Sequence, residues 1–309
     1  MLGRVMRSWW LRLGITAAIL LYLESRIDMA AAARAVLTVS RPHLVAVLAL
    51  VALDRSVMIL RWVLLLRASG TPIATKSAAW IFLVSSFVGS FLPAGVGGDA
   101  ARAWTLTQRT AQGSEALASV AVDRLLGILS LVAMGIAGLV MVAPAGEADW
   151  RVPAAVLILA AICLGAFWAD RLVRAVVPAH WHDGPVSRRL LKLSDAVSRY
   201  RGRGGVLAHV MAWSIVVQVL RIGQAYLIGL GLGITVPFRY YLLFMPIGLL
   251  MLLLPVSVSG FGLPQGVFVW LLRPLGVADE RSFALSTLIV LTGLAGNLPG
   301  LVLWLRSRR

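Results

Sequence analysis

Asp99 and Arg102 stand at i and i+3 in Leu92-Pro-Ala-Gly-Val-Gly-Gly-Asp-Ala-Ala-Arg102, which puts both on one face of a helix. An arginine so placed can hold a phosphate, because guanidinium matches phosphate geometry. Gly97 and Gly98 let backbone approach a ligand closely. A helix starting near Gly98 would turn free N–H groups toward an anion. Asp99 could equally cap that helix, with no ligand at all. Other ionisable residues lie inside apolar sequence: Asp54, Arg55 and Arg61, then Asp123 and Arg124, then Arg221 with Gln218 a turn before it. Asp54 and Arg61 are two turns apart and share a helix face. Charges at such depth are expensive and need partners, so each either pairs between helices or meets a ligand. Arg221 lies deepest and is expected to bind substrate or gate. Arg61, Arg102 and Arg221 would hold a phosphate, while Asp99 and Asp123 orient them or meet a cationic group.

A second stretch, Leu254-Pro-Val-Ser-Val-Ser-Gly-Phe-Gly262, carries no charge. Ser257 and Ser259 offer hydroxyls, and Gly260 and Gly262 offer bare backbone. Pro264 fits the first turn of a following helix, and Gln265 comes next. Both stretches are Leu-Pro breaks followed by glycines, within or beside apolar sequence. Proline removes a backbone donor and glycine weakens a helix, so both are expected to be broken helices. Broken backbone at membrane depth is tolerated only where it is buried in protein or lines a cavity. One such break in each half is a pointer to a binding site.

The elements that must position these residues are apolar. The chain is 60% hydrophobic and only 14% charged, against about 25% in soluble proteins. It is expected to be an all-α polytopic integral membrane protein. Candidate spans are 11–24, 43–66, 119–142, 153–169, 206–233 and 283–305. Two further apolar stretches, 78–92 and 240–275, contain or border the breaks. That gives about six full spans plus two re-entrant or broken-helix hairpins. The formal charge is +16, but the arginines flank apolar runs, which argues against nucleic-acid binding. Cys163 is the single cysteine, so no disulfide forms within the chain. His43, His180, His182 and His209 are scattered, and no metal or cofactor site is expected. The apolar stretch after Arg4, Arg7 and Arg12 lacks a prompt cleavage site and reads as an uncleaved first span.

Arginine and lysine at the N-terminus, in 67–77, in the loop 170–205 and at the C-terminus predict N-in and C-in topology. The segment 143–152, with Glu147 and Asp149, then lies outside. The loop 24–42 is mixed in charge. The basic loop 170–205 reads either as a helix on the cytoplasmic leaflet or as a solvated loop. Within a single membrane domain, 1–309, two halves at about 1–145 and 150–309 would carry the same element order in opposite orientation. Leu92-Pro93 aligns with Leu254-Pro255 and Gly98 with Gly260, and Leu60-Arg61 pairs with Leu220-Arg221 at nearly the same offset. This is the pattern of an inverted-topology repeat. The rival is two ordinary helical hairpins with more crossings.

At these residues the chain resembles the lysylphosphatidylglycerol synthase transmembrane-region family, the flippase-like membrane proteins. The likeness rests on Arg61-Trp62, on Leu92-Pro93 through Gly98-Asp99-x-x-Arg102, and on Asp123-Arg124-Leu125-Leu126-Gly127. It also rests on Leu254-Pro-Val-Ser257 through Gly260-Phe-Gly262 with Gly266-Val-Phe. The resemblance implies movement of lipids between leaflets. In two-part members the membrane portion flips an aminoacylated phospholipid that a separate soluble domain makes. There are departures. The family usually has Glu where this chain has Asp99. Its second motif usually reads Gly-x-Arg-Glu-Gly, whereas here Gly262-Leu-Pro-Gln265-Gly266 loses both charges.

The leading expectation is therefore translocation of a lipid or lipid-linked headgroup between leaflets of the cytoplasmic membrane. The partners would be membrane lipids, anionic or lipid-linked sugar, together with a lipid-synthesising enzyme. Alternatives are a non-transporting subunit of a glycolipid or envelope-assembly complex, or a lipid-modifying enzyme resting on Asp99 and Asp123. No catalytic constellation supports the enzyme reading. No filter-like repeat points to a channel, and no Gly-x-x-x-x-Gly-Lys-Ser/Thr loop to an ATP-driven pump.

Overall fold

In a computed structural model, the structure describes residues 21–22, 24–25, 27–71, 73–92, 97–110, 113–142, 161, 200, 202–251 and 262–307. Ten α-helices occur among them: α1 Met29–Thr38, α2 Arg41–Ala68, α3 Thr75–Gly89, α4 Gly97–Thr107, α5 Gly113–Val142, α6 Gly204–Gly231, α7 Phe238–Met251, α8 Leu263–Leu272, α9 Asp279–Ala295 and α10 Leu298–Arg306. No strand occurs among the described residues. The protein is all-α and polytopic.

Four elements are long and apolar enough to cross a bilayer: α2, α5, α6 and the α9–α10 rod. The rod is interrupted at Gly296 and Asn297, and Pro299 occupies the first turn of α10. Of the sequence-derived spans, 153–169 lies outside the described residues except residue 161. The span 11–24 is described only at 21–22 and 24. Most of the basic loop 170–205 is likewise outside. The 24–42 segment, read from sequence as a loop, contains α1 instead. Asp28 caps it by accepting from the Ala31 N–H, and the helix packs on α9.

The hairpin arms are short. Helices α3, α4, α7 and α8 have 15, 11, 14 and 10 residues. At about 1.5 Å per residue none of these stretches, over its described residues, covers the roughly 30 Å hydrocarbon core. Each hairpin follows the C-terminus of a long helix, and the two long helices run antiparallel. Gly231 of α6 lies against Val39, just before α2, and His43 in its first turn, while Arg61, two turns from the other end of α2, meets Ser214 early in α6. The hairpins therefore begin at opposite ends of the α2–α6 pair.

Two close crossings join α5 to α7 and α10 to α3. A Cβ on Gly138 of α5 would lie 2.5 Å from the Leu242–Leu243 peptide of α7. A Cβ on Gly300 of α10 would collide with the Leu83 carbonyl of α3. Only glycine lets these backbones approach so closely, the usual device where helices pack within lipid. The largest apolar core lies on the α6–α7 side, where Tyr226, Tyr241, Phe244 and Phe268 stack in a row of tilted and edge-on ring contacts.

Candidate functional site

The charged residues within the helices converge. Arg61 of α2 donates from Nε to Asp123 Oδ1 of α5 at 2.8 Å. Asp123 Oδ2 lies 3.2 Å from Arg102 Nη1 of α4. Arg102 also pairs with Asp99, one turn earlier on α4. Asp99 Oδ2 lies 3.1 Å from Arg124 Nη1 of α5. The result is one chain of alternating charge across α2, α4 and α5. Arg61, Arg102 and Asp123 are each under 5% exposed, whereas the Arg124 side chain is 32% exposed. Arg102 is fixed further by aromatic faces: its guanidinium carbon sits 5.1 Å from the ring centres of both Trp62 and Phe82.

A second cluster lies further along α2. Arg221 of α6 donates from Nε to Asp54 Oδ1 at 3.0 Å, and Arg55 Nη1 is 3.5 Å from Asp54 Oδ2. Arg55 also donates to the Gly293 carbonyl of α9 at 3.1 Å. The side chain of Gln218 donates to Ser130 Oγ of α5 at 2.9 Å.

These groups surround two adjoining cavities. The first, of about 190 Å³, is lined by Arg61, Asp99, Arg102, Asp123, Arg124, Gln218 and Arg221. The second, of about 250 Å³, is lined by Asp54, Arg55, Arg221, Gln224 and Asn297, with apolar residues between. Arg221 and Leu249 line both, so they form the shared wall. Buried polar atoms without a hydrogen-bond partner belong to residues lining both cavities: Asp99 Oδ2, Arg102 Nη1 and Gln218 Oε1 at the first, and Arg55 Nε, Gln224 Nε2 and Asn297 Oδ1 at the second. Dry walls rarely leave such atoms unpaired, so each cavity is suited to a polar guest. Among the described residues no group of three His, Cys, Asp or Glu could hold a metal ion.

The structure brings Arg61, Asp99, Arg102, Asp123, Arg124 and Arg221 together at one place. It puts Gly98 elsewhere. Its bare face meets α3, where a Cβ would lie 3.3 Å from the Ser85 carbonyl, and Gly89 of α3 abuts it in turn. Gly97 packs on Leu92. These glycines serve the α3–α4 crossing. Ser257 and Gly260 lie outside the described residues. Gln265 is fully buried in the first turn of α8, where its Oε1 accepts from the Gly262 N–H at 2.7 Å, and it lines neither cavity. Sequence reasoning left Asp54, Arg55, Ser214, Gln224 and Asn297 out of the site. Asp54 and Arg55 were visible as charges in an apolar run. Ser214 carries no such signal, and only the repeat offset that relates Arg61 to Arg221 would have drawn attention to it.

Among curated proteins, none matches the chain. The profile of the family described as Lysylphosphatidylglycerol synthase TM region matches residues 9–300, nearly the whole length. With its helical hairpins, apolar spans and buried arginine cluster, this membrane protein belongs to the lysylphosphatidylglycerol synthase TM region family.

Proposed function

We propose that this protein translocates a phosphate-bearing lipid headgroup, or a lipid-linked sugar, between leaflets of the cytoplasmic membrane. The observation that carries the reading is Arg221, which stands in the wall between two polar cavities lined by further arginines. A headgroup held in one cavity would meet the same guanidinium on entering the other, while its tails stay in lipid. The family supports lipid handling.

The two halves, about 1–145 and 150–309, act in this reading as an inverted repeat, with both termini cytoplasmic. Three packing relations favour it: antiparallel α2 and α6, the α5–α7 crossing and the α3–α10 crossing. A reciprocal exchange of partners is what a pseudo-two-fold produces, and the antiparallel α2–α6 pair favours an axis in the membrane plane. Rocking of one half against the other would open the cavities in turn. The reading includes no covalent chemistry and no cofactor.

Proteoliposomes holding headgroup-labelled fluorescent lipids test it. Wild-type protein should expose inner-leaflet label to a membrane-impermeant quencher, and Arg221→Gln should slow this about tenfold or more. Equal rates for wild type, Arg221→Gln and empty liposomes would overturn it.

A further inference from the structure

We infer that the headgroup this site takes is a dianion, a lipid phosphomonoester, and that a cationic aminoacylated headgroup is excluded. The inference rests on the translocation reading for its location and adds the substrate class. It follows from a charge count and from a satisfaction count.

The charge count comes first. Among the described residues, five arginines and three aspartates line the two cavities, and no lysine, glutamate or histidine does. The two breaks, 93–96 and 252–261, contain no ionisable residue in the sequence. Two positive charges are therefore in excess around adjoining cavities in a low-dielectric setting, where uncompensated charge is costly. A guest bearing two negative charges neutralises the site, and a phosphodiester supplies only one.

The satisfaction count says which sign of headgroup fits. A cationic amine needs a carboxylate that is free to receive it. Each of the three already has arginine nitrogens against both of its oxygens, although Asp99 Oδ2 makes no hydrogen bond. Asp54 is held by Arg55 and Arg221, Asp123 by Arg61 and Arg102, and Asp99 by Arg102 and Arg124. The second hairpin adds no acid, because Gln265 is neutral and its carbonyl oxygen already accepts from Gly262. Arginine, by contrast, has donors to spare. Arg102 Nη1 at the first cavity, and Arg55 Nε and the Gln224 amide nitrogen at the second, are buried donors without a hydrogen bond, while the unpaired acceptors other than Asp99 Oδ2 are the neutral amide oxygens of Gln218 and Asn297. Five N–H donors per guanidinium suit the three open oxygens of a phosphomonoester.

Purified full-length protein in nanodiscs tests this. Lipid retention is measured for phosphatidic acid, phosphatidylglycerol and lysyl-phosphatidylglycerol, with inorganic phosphate as competitor. Phosphatidic acid should be held about tenfold more tightly than phosphatidylglycerol, and lysyl-phosphatidylglycerol least. Its retention should weaken from pH 7.5 to pH 5, because a phosphomonoester loses its second charge below about pH 6 while arginine does not titrate. Arg124→Gln and Arg221→Gln each leave every carboxylate one arginine partner, so both should fold. Each should cut phosphatidic acid binding about tenfold without weakening phosphatidylglycerol equally. Equal or tighter binding of lysyl-phosphatidylglycerol would overturn the inference, and so would binding of no phosphate at all. Inorganic phosphate that displaces the lipid at equal concentration would overturn the lipid as source. If phosphatidic acid is bound as expected but never moved in proteoliposomes, the substrate class stands and translocation falls. If lysyl-phosphatidylglycerol is moved, translocation stands and the class falls.

Discussion

Arg61 of α2 donates from Nη1 to Ser214 Oγ of α6 at 2.9 Å, and Ser214 follows Asp54 at the same sequence separation by which Arg221 follows Arg61. Arg221 of α6 makes the reciprocal contact, donating to Asp54 at 3.0 Å. The residues are paired by equal sequence separation: Asp54 with Ser214, and Arg61 with Arg221. One contact is ionic and its counterpart is neutral. That single difference leaves Arg61 dependent on Asp123 for its charge partner.

Ser214→Asp should therefore be tolerated, because it meets a guanidinium already in place. It should also remove one of the two excess charges. We expect an unfolding midpoint near wild type and phosphatidic acid retention about tenfold weaker, by thermal unfolding in detergent and the nanodisc assay.

Asp123→Asn removes a carboxylate counter-charge from two buried arginines at once. Breaking a buried pair by removing one partner costs about 3–5 kcal/mol. A marked fall in the unfolding midpoint is expected. Asp123→Leu combined with Arg61→Leu should recover much of it, because Arg102 keeps Asp99 and no charge is stranded. No recovery in the double variant would show that the pair does more than balance charge.

Arg102→Lys keeps the charge and loses the geometry. Lysine cannot bridge Asp99 and Asp123 with a planar fork between Trp62 and Phe82. A loss of about 1–2 kcal/mol is expected, read as a lower midpoint in thermal unfolding. An unchanged midpoint would remove the aromatic stacking from the account.

Gly300→Ala and Gly138→Ala place a methyl group against the backbone of a neighbouring helix. Each should cost about 1–3 kcal/mol. Gly266→Ala is the control, since nothing lies within 4 Å of a Cβ there, and its midpoint should stay near wild type.

The sequence alone determined the class of molecule. Long apolar runs and Leu-Pro breaks are properties of local sequence, and hydrocarbon allows few ways to satisfy a backbone within it. Its resemblance also reached the family. Most of the charged site was legible too, because a charge in an apolar run is conspicuous whatever the fold. The tertiary structure alone decided which charges are partners. Asp54 and Arg61 share a face of α2 yet belong to different clusters, because antiparallel α6 offers an arginine to one and a serine to the other. It also gave Gly98 to helix packing, since only the approach of α3 occupies the space that a ligand would need. Pairing depends on which helices become neighbours, and that follows from packing over the whole chain.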